Sequence, residues 1–129
     1  MSERRRVSSG GPWEASAGYS RAIAVGDSCF VSGTTDAGPG GRSRHPGDPV
    51  AQTRATLAII EAALSEAGFA LTDVVRTRMF VTDISRSAEI LAVHAELFGS
   101  IRPAASMVEV SALMDPSLLV EIEAEARRA

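Results

Sequence analysis

Residues 71–82 read LTDVVRTRMFVT. β-Branched and aromatic residues dominate the run, which predicts a strand over Leu71–Thr82. Its alternation sets Val75, Thr77, Met79 and Val81 on one face and Arg76, Arg78 and Phe80 on the other. The neighbours on each side decide the fold. Upstream, Asp48-Pro49 opens a helix, with Asp48 as N-cap and Pro49 at the first helical position. Val50, Leu57, Ile60, Leu64 and Ala67 then recur at helical spacing, and Gly68 follows as the terminating C′ glycine. Downstream, a second helix runs from about Ser87 to Phe98 and ends at Gly99. Farther out, Ala104–Val110 and Leu118–Ala126 read as strands. Arg21–Val25 and Ser28–Ser32 read as a hairpin across Gly26-Asp27. The order β-β-α-β-α-β-β predicts one α/β (α+β) domain over residues 19–129, with two helices on one face of a sheet. Residues 1–18, rich in Ser, Gly and Arg without periodicity, predict a flexible arm, and Gly33–Gly47 predicts a surface loop.

Two helices cover one sheet face and leave the other without a layer. In Ala104–Val110 both alternating sets are small or apolar, Ala104, Ser106, Val108 and Val110 against Ala105 and Met107. A strand open to water on one side alternates more cleanly than this. Self-association in a symmetric homo-oligomer is therefore expected.

Composition narrows the chemistry. The chain has 129 residues and a net charge of −3, with 45% hydrophobic residues. That acidity argues against nucleic acid as a partner. No apolar run approaches the roughly 20 residues that span a bilayer, so no membrane association is expected. Arg4-Arg5-Arg6 lacks the apolar stretch that a signal sequence needs. All 13 basic residues are arginine, which removes a lysine Schiff base and a phosphate-binding lysine. Cys29, the single cysteine, lies in an apolar run and reads as a small buried hydrophobe. Together these features point to a cytoplasmic protein. No metal site is expected, because neither His45 nor His94 has a second ligand at the right spacing. Gly38-Pro39-Gly40-Gly41 does not match a nucleotide fingerprint, and no cofactor is expected. Glu121, Glu123 and Glu125 alternate along one strand and share a face.

The stretches Tyr19-Ser20-Arg21-Ala22, Val25-Gly26-Asp27 and Phe30-Val31-Ser32-Gly33 recur in a familiar order with Phe98-Gly99, Arg102-Pro103-Ala104 and Val120-Glu121-Ile122-Glu123-Ala124. From about Tyr19 to Ala126 the chain resembles the RidA/YjgF family, also called Rid or L-PSP. That resemblance implies a chorismate-mutase-like fold and a homotrimer with clefts between subunits. Active relatives hydrolyse enamines and imines to a keto acid and ammonia. In them an arginine binds the substrate carboxylate, and a glutamate positions the water. Carried over position by position, Glu121 becomes the catalytic carboxylate. Tyr19, Ser32, Gly33, Leu91, Ala105, Ser106 and Met107 become the substrate-binding set. The deaminating members carry arginine where this chain has Ala105. Arg102, Arg76 and Arg78 are the candidates to replace it. The resemblance thus implies a trimer that binds a small metabolite, either as a deaminase-type hydrolase with an altered substrate or as a non-catalytic ligand-binding or regulatory protein.

Overall fold

The structure, a computed structural model, describes residues 3–129. The strands are β1 (Arg4–Val7), β2 (Ala22–Val25), β3 (Ser28–Thr34), β4 (Val74–Val81), β5 (Ala104–Glu109) and β6 (Val120–Arg127). A short helix α1 (Glu14–Ala17) precedes β2, α2 (Pro49–Glu66) lies between β3 and β4, and α3 (Ser87–Phe98) joins β4 to β5. The strands form one sheet in the order β1-β2-β3-β6-β4-β5. Only β4 and β5 pair in parallel, as a strand–helix–strand crossover through α3 requires. The α+β class and the two principal helices agree with the expectation from sequence. No helix among the described residues is long and apolar enough to cross a membrane.

The helix ends follow the local chemistry. The Asp48 side chain accepts a hydrogen bond from the Ala51 N–H at 3.0 Å, and Pro49 begins α2. At the other end Gly68 takes φ 87°. The N–H groups of Gly68 and Phe69 reach back to the carbonyls of Ser65 and Leu64 at 3.0 and 2.8 Å, the paired pattern of a Schellman motif. Helix α3 stops differently. Gly99 stays helical at φ −57°, and the left-handed residue is Arg102, at φ 55°. Pro103 disfavours the right-handed helical region at the residue before it.

Leu57, Ile60 and Leu64 of α2, with Ile90, Val93 and Phe98 of α3, pack on Val31, Met79, Val81, Val120 and Ile122 of the sheet, all nearly inaccessible. Gln52 is equally buried and fully satisfied. Its amide donates to the carbonyls of His45 and Ser117 at 3.1 and 2.9 Å and accepts from the Leu119 N–H at 2.8 Å. Helix α2 is thereby tied to the segments entering α2 and β6.

Three expectations need correction. First, the segment expected to be an arm is structured from Arg4 onward: β1 pairs with β2 from Arg4↔Val25 to Val7↔Ala22, and α1 follows. The backbone ladder holds β1, while Arg4, Arg5 and Arg6 all remain exposed, so no apolar alternation announces it. Second, Val75 is exposed and Val74 buried, because the ladder with β6 slips between Val74 and Arg76. Such a bulge reverses the face of the preceding residue, whereas Thr77, Met79 and Val81 face the helices as expected. Third, Leu71–Asp73 forms a 3₁₀ turn ahead of β4. The sheet face away from the helices carries Phe30 and Val108, each 48% exposed.

His94 has a packing role. Its Nε2 lies 2.9 Å from the Thr77 hydroxyl, its ring meets Phe98 at 4.7 Å, and burial pushes its pKa down. The unfolded chain binds a proton below about pH 6.5, where the folded ring resists one. His94 therefore favours the fold above that pH, and its contribution is lost as pH falls through the depressed folded value. Urea midpoints are expected to drop on acidification below about pH 6.5, and His94→Leu is expected to flatten that part of the profile. A variant with an unchanged slope would remove His94 as the cause.

Candidate functional site

Beside β3 and β6 lies a cavity of about 880 Å³, walled on its other side by the N-terminal segment and by the loop after β3. The register explains why Glu121 reaches it. On β6, Val120, Ile122, Ala124 and Ala126 are buried against the helices, so the intervening glutamates project to the opposite face. Glu123 and Glu125 there meet Arg78 of β4 at 3.5 and 3.0 Å. This pairing relieves the repulsion expected of three acids in a row. Glu121 stands opposite Phe80 instead and, among the described residues, has no arginine partner within ion-pair distance. Burial pushes its pKa up, the charge of Glu123 adds to this, and Arg21 offsets part of it.

The Glu121 carboxyl rests on the backbone of Gly33. A Cβ at Gly33 would stand 2.2 Å from Glu121 Oε2 and 2.9 Å from Cδ. Both the carboxyl group and Gly33 line the cavity. Gly33→Ala is therefore expected to swing the carboxyl aside. Turnover or ligand binding that depends on Glu121 should fall at least about tenfold, since misplacement of a reacting group by about 1 Å can cost on the order of 10²-fold. Stability should change little, because the displaced atoms are the end of a flexible side chain. Paired urea measurements and assays of turnover or binding check this; a Gly33→Ala variant with unchanged turnover or binding would show that the contact positions nothing.

Arg21 braces the floor from below. Its Nη1 donates to the Gly33 carbonyl at 2.7 Å and to the Thr34 hydroxyl at 3.0 Å. Its Nε lies 3.3 Å from Glu14 Oε2. Glu14 also accepts from the hydroxyls of Ser8 and Ser9 at 2.9 and 2.5 Å and from the Gly11 N–H at 3.1 Å. Burial would raise the Glu14 pKa, but hydrogen bonds from Ser9, Ser8 and Gly11 and the charge of Arg21 together hold it below its usual value. Tyr19 is cantilevered above, with the Arg21 guanidinium 5.6 Å from its ring centre. The Ser32 hydroxyl donates to the Ser20 carbonyl at 2.6 Å.

Of the residues singled out from sequence, Tyr19, Ser32, Gly33 and Glu121 line this cavity. Leu91, Ala105, Ser106 and Met107 do not. Leu91 is exposed on α3. Ala105 and Ser106 are exposed on β5, and Met107 is half-buried there, at the sheet edge separated from β6 by β4. Arg102, Arg76 and Arg78 also lie outside the cavity wall. Sequence reasoning missed Glu14, Trp13 and Arg44, because segments without periodicity give no sign of what they fold against. Arg21 lay inside a quoted motif, yet only the fold shows its ion pair. Among the described residues no group of acidic, histidine and cysteine side chains is placed to hold a metal.

The endoribonuclease L-PSP family model matches residues 12–128, which takes in the cavity wall from Pro12 onward and the sheet edge at β5. The chain is a member of the RidA/YjgF (L-PSP) family. A crystal structure of Rv2704 from Mycobacterium tuberculosis, described as a member of the YjgF/YER057c/UK114 family, is 53% identical with a TM-score of 0.88, covering 98% of this chain and 100% of that one. The YjgF gene product of E. coli is 29% identical, with a TM-score of 0.82 and coverage of 97% and 99%. An uncharacterised Streptomyces coelicolor protein, SCO2049, is 39% identical over 96% of this chain and 92% of its own length. As a RidA/YjgF member this chain has the family's mixed fold, while its Pro103-Ala104-Ala105-Ser106 run places no guanidinium on β5.

Proposed function

We propose that this RidA/YjgF protein assembles as a homotrimer whose clefts between subunits bind a small metabolite. In each cleft Glu121 handles the proton in hydrolysis of an enamine or imine whose substituents differ from those of the usual amino-acid-derived acids. The observation that carries this reading is Glu121: a carboxyl without an arginine partner, raised in pKa by burial, seated on Gly33 in the wall of a cavity. A carboxyl poised toward neutral pH is what proton transfer in both directions requires. Glu121 would take one proton from water as its oxygen adds to the carbon of the protonated C=N group, then pass it to the nitrogen as the C–N bond breaks, the remaining hydroxyl proton leaving to solvent as the C=O forms. The products are a carbonyl compound and ammonia.

The trimer draws its support from placement. Phe30 and Val108 are exposed on the helix-free face. The Leu91, Ala105, Ser106 and Met107 set lies at the edge of the chain, where it would complete a cleft only against the cavity of a second copy. The altered substrate follows from Ala105. A hydrogen bond to a charged group contributes roughly 1.5–3 kcal/mol. Loss of a bidentate arginine therefore lowers carboxylate affinity on the order of 10²-fold or more.

The test generates imines in situ with a dehydratase and follows keto-product release, beside a sedimentation measurement of assembly. The native protein is expected to be trimeric and slow on serine- and threonine-derived imines, and Ala105→Arg should gain on them. Rapid native turnover of those imines with no gain in Ala105→Arg would refute the altered substrate. A monomer would refute the shared cleft. Saturable binding without turnover of any imine, indifferent to Glu121→Gln, would leave the non-catalytic ligand-binding reading.

A further inference from the structure

The Gly38-Pro39-Gly40-Gly41 stretch, which fits no nucleotide motif, has a use visible in the fold. Two of its glycines, Gly38 and Gly41, are seats for side chains of the cavity wall. A Cβ at Gly38 would stand 3.0 Å from Arg44 Cζ and 3.1 Å from Arg44 Nε. A Cβ at Gly41, where φ is +80°, would stand 2.7 Å from Trp13 Cζ2. Arg44 and Trp13 both line the cavity that holds Glu121. Pro12, Pro39 and Met114 add apolar surface to the same wall.

The Arg44 backbone is fixed on both sides. The buried Asp36 carboxylate accepts from the Ser43 hydroxyl at 2.8 Å and from the His45 N–H at 3.1 Å, and the Ser43 N–H donates to the Ser117 hydroxyl at 2.8 Å. Of the cavity's other charged side chains, only Glu121 has no ion-pair partner among the described residues. Arg21 is paired with Glu14 and Glu123 with Arg78. Among the described residues, Arg44 makes no ion pair and its guanidinium makes no hydrogen bond. It is a solvent-exposed cation of the cavity wall on a braced loop, without a protein acceptor among the described residues.

We infer that Arg44 is the anion anchor of this cavity, and that its ligand is an amphipathic monoanion. The carboxylate would sit at Arg44, the apolar body against Trp13 and Met114, and the reacting end at Glu121. This rests on the reading of the cavity as the ligand site. It relocates the positive charge that β5 lacks, from the sheet edge to the loop after β3. A guanidinium offers paired donors to a carboxylate in a way a neutral amide cannot match. The ligand must therefore have a different separation between acid and reacting carbon from one held at residue 105.

Trp13 is the single tryptophan of the chain, so its emission reports occupancy directly. Hydrocinnamate and its neutral amide, equal in apolar body, are titrated against the native protein, Arg44→Gln and Arg42→Gln, by Trp13 fluorescence and by calorimetry. Arg42 is a neighbouring arginine outside the cavity wall and controls for net charge. Hydrocinnamate is expected to bind native protein roughly ten- to a hundredfold more tightly than the amide. Arg44→Gln should abolish that preference by weakening the acid alone, and Arg42→Gln should keep it. Equal binding of acid and amide, a preference that survives in Arg44→Gln, or binding of neither probe by either readout would overturn the assignment. Turnover is not needed for any of these results. Failure of imine hydrolysis would count against the role of Glu121 and leave that of Arg44 standing, and the converse also holds.

Discussion

Arg21→Met is expected to lower unfolding free energy by about 3–5 kcal/mol, the usual cost of removing one partner from a buried ion pair. Arg21 and Glu14 have side chains only 7% and 6% exposed, so neither group recovers hydration when the other is lost. Methionine would replace much of the guanidinium's bulk and none of its donors. Glu14 would lose its neutralising charge, and the Gly33 carbonyl and Thr34 hydroxyl would lose the bonds that Arg21 supplies. These contacts run from the N-terminal segment to β3, so the damage should reach the cavity wall as well. Urea unfolding measures the loss. Adding Glu14→Gln to Arg21→Met should recover part of it, because the stranded charge is then gone, and the cycle isolates the pair's coupling. A single-variant loss below about 1 kcal/mol, the scale of an exposed pair, would show that the site is solvated.

Glu121→Gln is expected to reduce turnover of any hydrolysed imine by about 10²–10⁴-fold, the range that one general acid–base group supplies. Glutamine keeps the shape that rests on Gly33 but transfers no proton, so ligand affinity should change far less than rate. The same substitution should stabilise the fold at neutral pH. The Glu121 pKa is raised by burial and by Glu123, against the charge of Arg21, so between the unfolded and folded values the native state holds more protons. Its contribution is complete below the unfolded value and is lost as pH rises through the folded one. The glutamine variant lacks that loss. Its advantage in urea midpoint should therefore be small in acid and grow toward neutral pH. A rate unchanged by the substitution would remove Glu121 from the chemistry, and a stability difference independent of pH would remove the raised pKa.

How far the sequence is legible depends on what each segment packs against. Helix α2 is readable to the residue, because Asp48, Pro49 and Gly68 act within one turn of where they stand. The core faces of β4 and β6 are readable because burial on one side imposes period two, and the exception, Val75, arises from a bulge created by the partner strand. The strand β1 is invisible, since Arg4, Arg5 and Arg6 are held by backbone pairing with β2 and not by buried side chains. At the site, Tyr19, Ser32, Gly33 and Glu121, which the motif resemblance marks, stand together in the cavity wall. Leu91, Ala105, Ser106 and Met107, which the same resemblance marks, lie apart from the cavity at the β5 side of the sheet. Nothing local in 103–107 shows that β5 pairs with β4 at the far side of the sheet from β3.

By itself the sequence determined the order of the elements from β2 to β6, the family, the absence of lysine and the absence of an arginine from Ala104–Glu109. These are properties of residue identity and short-range spacing. Only the tertiary structure decided that Glu14 neutralises Arg21, that Gly33 seats the Glu121 carboxyl, and that Gly38 and Gly41 make room for Arg44 and Trp13. Each is a contact between segments brought together by folding. A glycine declares in sequence only that a side chain is absent, and the fold determines which neighbour fills the space.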